Sequence, residues 1–180
     1  MVKKKAEIKE WIDSLSKSEL AEIVLKLSAR KEIFNFLSIN YFDKQSGEIE
    51  FYNQTLAEID ILYGKRYKGF SEQLRLANML AACNKKVNEF TQTSTNKKLE
   101  ADMLMYILDD VFVYYKDLLG TCFTTFDTKV GFTLRRLINL IKKMHPDYLL
   151  EYQDKVNSYL EVLHTRSNHI NTIYNMPKSI

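Results

Sequence analysis

Apolar residues recur every three to four positions along most of this chain, and nowhere do they alternate with period two beside a hairpin turn. That pattern predicts helices. A first helix is expected from about Lys4 to Ser14, with Ile8, Trp11, Ile12 and Leu15 on one face. Ser16 then stands three residues before Glu19, the spacing of a capping box, in which each side chain bonds the other's backbone N–H. The stripe of Leu20, Ile23, Val24, Leu27, Phe34, Leu37 and Tyr41 predicts a second helix running to about Tyr41. A turn is expected over Asp43 to Gly47, with Gly47 available for a positive φ.

The third predicted helix spans about Glu48 to Tyr63 and ends at Gly64. A basic loop follows between Gly64 and Gly69, then a fourth helix capped by Ser71 and reaching about Gln92. The Thr, Ser and Asn run of residues 91–96 breaks the helix, and Thr95 or Asn96 can cap a fifth, expected to reach Leu119 and end at Gly120. This fifth helix is apolar over much of its circumference and so belongs in the middle of a bundle. A sixth begins near Thr124 or after Asp127, with Phe132, Leu134, Leu137, Ile138 and Ile141 as its apolar set. His145-Pro146-Asp147 ends it and opens the last helix, which runs to about Ser167, with Ile170 to Tyr174 as an extension or a short separate helix.

The fold class read from this is all-α: a single globular bundle of about six helices, with a helical-hairpin array as the other arrangement. Residues 1–176 form the expected domain, and 177–180 a frayed C-terminal tail.

Composition supports this reading. Five Gly and two Pro among 180 residues suit long helices with few breaks, and ten Phe with eleven Tyr supply large pieces for packing. A net charge of +3 is too small to demand a nucleic-acid or membrane partner. Cys83 and Cys122 lack a CxxC partner and fit buried thiols in a reducing cytoplasm. The basic start, with Lys3, Lys4, Lys5 and Lys9, is not followed by the apolar run of a signal peptide, and the longest apolar block, Met103 to Leu108, is too short to span a bilayer.

Chemistry is sparse in the sequence. It holds neither of the glycine-rich phosphate-loop patterns GxxxxGK[ST] and GxGxxG, and no serine in a GxSxG setting. No metal or cofactor is expected. A Cys2His2 site from Cys83, Cys122, His164 and His169 needs four scattered elements to converge. Asp102 and Asp109, seven apart on one helix face, are the carboxylates to consider for acid–base work, with Asp110 beside them and His169 as the partner base. Di-metal bundles use Glu-x-x-His pairs, and this chain has none.

The basic clusters are more distinctive: Lys3 to Lys5, Lys65/Arg66/Lys68, Lys85/Lys86, Lys97/Lys98, Arg135/Arg136 and Lys142/Lys143. In the second, Tyr67 stands among cations, so Lys65, Arg66, Tyr67 and Lys68 are the candidate binding residues: cations neutralise phosphate while a ring stacks on a base. Against that reading, 23 acidic residues nearly balance 26 basic ones. This loop is expected to be exposed and mobile.

The strings Leu15-Ser16-Lys17-Ser18-Glu19-Leu20, Leu74-Arg75-Leu76-Ala77 leading to Val87 and Phe90, Leu104-Met105-Tyr106 and Leu137 to Lys143 span nearly the whole chain. In these strings the chain resembles a bacterial family of uncharacterised all-helical proteins. The resemblance implies a small cytoplasmic helical protein and supplies no activity. Where that family carries a Gly/Trp-rich stretch followed by His-Asp, this chain has Arg166-Ser167-Asn168-His169.

The functional expectation is therefore a non-enzymatic protein–protein interaction or adaptor module. The first alternative is a nucleic-acid-binding helical protein using loop 64–69. The second is an enzyme with a carboxylate/His site.

Overall fold

The structure is a computed structural model that describes residues 2–180. The side chain of Lys3, at the head of the first basic cluster, lies outside the described residues. Among the described residues there are nine α-helices and no strand. The all-α class stands, with more and shorter helices than the six expected. The chain divides into two compact units, one reaching to Phe51 and the other running Tyr52–Ile180.

In the N-terminal unit, α1 spans Val2–Ser14 and α2 spans Lys17–Ser28. The capping box is formed: the Glu19 N–H donates to Ser16 Oγ at 3.3 Å, and the Ser16 N–H donates to Glu19 Oε2 at 2.8 Å. The Ser16 hydroxyl, which donates to Glu19 Oε2 at 2.7 Å, and then the Ser16 N–H hold the Glu19 carboxyl below its ordinary range.

The single helix expected to Tyr41 is broken. Ser28 Oγ donates to the carbonyls of Val24 and Leu25, competing with the backbone at the helix end. Arg30 is then extended before α3, Lys31–Leu37. A π-helical turn, Ser38–Phe42, follows.

The turn expected over residues 43–47 is reduced to Asp43, which caps α4, Lys44–Tyr63: Asp43 Oδ1 accepts from the Ser46 N–H at 3.1 Å. Gly47 lies inside α4 without a positive φ.

In the second unit, α5 is Glu72–Thr93, α6 Lys97–Tyr114, α7 Thr125–Ile141, α8 Pro146–Ser167 and α9 Asn171–Tyr174. The starts of α5, α6 and α8 have local causes. Ser71 Oγ accepts from Leu74, Asn96 Oδ1 accepts from Lys98 and Leu99, and Pro146 occupies the first turn of α8.

Helix α6 stops at Tyr114, short of the expected Leu119, and a 3₁₀ turn at Lys116–Leu118 leads to Gly120. Gly120 has φ of +78°, a left-handed backbone that disfavours a side chain.

The core is shared between α6 and α7. Met103, Leu104, Ile107 and Leu108 of α6 and Val130, Leu134 and Leu137 of α7 are all fully buried. Helix α7 packs against α5, α6, α8 and α9. At Gly131 a Cβ would sit 3.2 Å from Ile173 and 3.3 Å from Thr172, so the missing side chain lets α9 lie close on α7.

The segment expected as a frayed tail is tied to α8. The Ile180 N–H donates to Asn157 Oδ1 at 2.8 Å, and His164 Nε2 lies 3.1 Å from the Pro177 carbonyl. No helix among the described residues is long and apolar enough to cross a membrane.

Candidate functional site

The basic loop follows directly from the end of α4. The Lys65 N–H donates to the Leu62 carbonyl at 3.2 Å, and Tyr67 OH donates to the same carbonyl at 3.0 Å. Helix α5 holds the other end: Asn78 Nδ2 donates to the Lys68 carbonyl at 2.8 Å and Arg75 Nη1 to the Gly69 carbonyl at 3.3 Å. The loop exposes its cations as expected, but Asn78 and Arg75 hold its backbone and Tyr67 ties it to the end of α4.

Beside it lies a pocket of about 440 Å³ lined by Lys65, Arg66 and Arg75, with Glu72 as the single carboxylate. Tyr63, Tyr67 and Tyr115 supply rings, and Leu76 and Met79 an apolar lining. The fold thus brings Lys65, Arg66 and Tyr67 together and leaves the Lys68 side chain out of the pocket. Sequence reasoning missed Arg75 and Tyr115. Arg75 stands four residues after the Ser71 cap, one helical turn along, which was a readable signal. Tyr115 comes from the far end of α6, and nothing local announces it.

Burial pushes the Tyr63 phenol far above its ordinary value, and its hydroxyl is buried without a hydrogen-bond partner.

The carboxylate candidates are already engaged. Asp102 accepts from Lys98 Nζ at 2.7 Å and from Tyr152 OH. Asp109 accepts from Lys155 Nζ at 2.9 Å and from Tyr159 OH. Asp110 is half-buried, and desolvation, then the charge of Asp60, raises its carboxyl. His169 is exposed in the turn between α8 and α9. The structure does not bring it to either aspartate: their partners are lysines and tyrosines. Among the described residues no three His, Cys, Asp or Glu groups are placed to hold a metal ion. Cys83 is a buried free thiol as expected, whereas Cys122, expected to be buried too, is an exposed free thiol.

Comparison with protein families, with curated proteins and with solved structures finds no match to this chain. The functional reading therefore rests on its own surfaces.

One of these is the N-terminal unit. Ile8, Trp11 and Ile12 of α1 share a face at helical spacing, as do Ile23, Val24 and Leu27 of α2. The periodicity predicts buried stripes, yet α2 buries no residue. Trp11 is 66% exposed, Ile12 47% and Leu27 43%, and Leu25 on the other side of α2 reaches 73%.

A second surface is the outer side of α7. Arg136 is fixed there by Glu100 Oε1 at 2.8–2.9 Å and Asn88 Oδ1 at 2.6 Å, while Arg135 donates to the Thr172 carbonyl.

Proposed function

We propose that this protein is a non-enzymatic interaction module whose N-terminal helices receive an apolar face of a partner helix. The observation that carries the reading is the open stripe of α1 and α2. A helix that sets Ile23, Val24 and Leu27 at core spacing and leaves them 37–43% exposed has part of its packing surface open. Large apolar side chains in a row, Trp11 among them, are what helix-in-groove recognition uses as anchors.

Trp11 is the sole tryptophan, so its emission reports this face alone. Affinity capture from native lysate is expected to retain a stoichiometric partner, to lose it in Trp11→Ala/Leu27→Glu, and to shift Trp11 emission to the blue on rebinding. A homodimer with shifted emission makes the partner a second copy. Capture of nothing, together with turnover in a broad hydrolase and phosphatase screen, overturns the proposal.

A second reading, nucleic-acid binding at loop 64–69, is favoured by one observation: three cations against one carboxylate in a tyrosine-lined pocket. Lys65, Arg66 and Lys68 changed together to Gln test it. Salt-sensitive binding that persists in this variant places the contact elsewhere.

A further inference from the structure

From the outer face of α7 we infer a binding site for single-stranded nucleic acid, distinct from loop 64–69 and independent of the N-terminal face. Lys129, Phe132, Arg136, Asn139 and Lys143 follow one another at three- and four-residue steps, so they share one side of the helix and of the turn that ends it. At 1.5 Å per residue this row is about 20 Å long, the length of several nucleotides at 3.4 Å or more per phosphate.

Two adjoining pockets of about 430 and 310 Å³ lie along it, and Phe132 and Arg136 line both. Lys85 and Asn88 of α5 extend the lining on one side. Glu100 of α6 is the only carboxylate lining either pocket, and it holds Arg136.

Each component matches a part of the ligand. Lys85, Lys129 and Lys143 are exposed and have no ion-pair partner among the described residues, so they are available to phosphates. Arg136 is held in place before any ligand arrives, which lowers the ordering cost of a contact. Phe132 is 52% exposed at the junction of the two pockets. Residues two apart on a helix point about 200° apart, so Phe132 faces away from the core side occupied by Leu134. An exposed ring among cations and amides gives an unstacked base a platform, with Asn88 and Asn139 as donors and acceptors for its edges. A duplex keeps its bases stacked and offers the ring nothing. An acidic protein uses the cations but has no need of the ring.

The test uses the full chain and fluorescent oligo(U) and oligo(dT) of about twelve nucleotides, with anisotropy read from about 50 to 300 mM salt. Binding is expected to weaken with salt. Lys85, Lys129 and Lys143 changed together to Gln should reduce the salt slope by about two, at roughly 0.7 per single-strand phosphate. Phe132→Ala should weaken binding at least about fivefold with the slope unchanged, since it removes stacking and no charge. A thermal melt confirms that both variants fold, and Lys65, Arg66 and Lys68 changed to Gln should leave binding intact. No binding at the lowest salt overturns the inference, as does loss of binding in the loop variant alone. Equal binding of poly-glutamate, with Phe132→Ala silent, also overturns it and assigns the face to acidic proteins.

Discussion

The Tyr159 hydroxyl donates to the Asp109 carboxylate, linking α8 to α6 one heptad beyond the same bond between Tyr152 and Asp102. Both pairs are separated by 50 residues, so the two helices run in the same direction and a seven-residue step on each returns to the same contact. Phe112 stacks on the Tyr159 ring at 4.2 Å, and Lys155 supplies the countercharge. Asp109 is thereby a structural clamp. Tyr159→Phe keeps the stacking and removes the donor, at an expected cost of about 1–2 kcal/mol in urea unfolding. A double-mutant cycle with Asp109→Ala should show coupling of about 1 kcal/mol, and additivity within error would mean the bond contributes nothing.

Gly120 should tolerate no side chain. Its φ is +78°, and a Cβ there would lie 2.3 Å from the Arg166 carbonyl oxygen. Its N–H donates to Asp127 Oδ1 at 2.6 Å, and Ser167 Oγ donates to the same buried oxygen, so a shifted backbone also disturbs a buried carboxylate. Gly120→Ala is expected to destabilise by about 3 kcal/mol, from left-handed strain plus overpacking. Gly64→Ala is the control: the nearest atom is Ile61 O at 3.8 Å, and the change should stay within about 0.5 kcal/mol.

The two thiols should separate cleanly in reactivity. Cys83 is fully buried, and burial, then the charge of Asp110, pushes its thiol up to about 12. Cys122 is exposed. Titration of the native protein with a thiol reagent near neutral pH should modify one equivalent quickly, and the second only after denaturant is added. Two fast equivalents would mean that the α5–α6 packing around Cys83 opens readily.

Stability should fall on the alkaline side. Burial raises Tyr152 and Tyr159 well above the ordinary phenol value, and their hydrogen bonds to Asp102 and Asp109 raise them further. The bond to Asp60, then burial, lifts Tyr106 to about 12. In each case the folded state keeps a proton that the unfolded state loses near pH 10, or near pH 9 for Cys83. The unfolded state then binds fewer protons, so unfolding free energy falls as pH rises. Urea midpoints should be flat up to about pH 8 and decline through pH 9 to 11. Tyr159→Phe should flatten part of that decline.

Local chemistry carried much of the fold in the sequence alone. The Ser16–Glu19 box, the Ser71 and Asn96 caps and Pro146 in the first turn of α8 each rest on residues within a few positions of one another, and each was readable. The all-α class follows from the same short-range periodicity. The basic loop was legible as a cluster because Lys65, Arg66 and Tyr67 are consecutive.

Only the tertiary structure decided which apolar faces find a partner. The stripe of α2 and the ring of Phe132 look like core in a periodic pattern, yet Ile23, Val24 and Leu27 stand 37–43% exposed and Phe132 52%. The same holds for the groups assembled from afar. Arg75 and Tyr115 join Lys65 and Arg66, and Asp102 and Asp109 meet tyrosines 50 residues away rather than His169. Helical periodicity specifies which side chains share a face of one helix; which helix that face meets depends on the packing of the others, and no window of neighbouring residues contains that information.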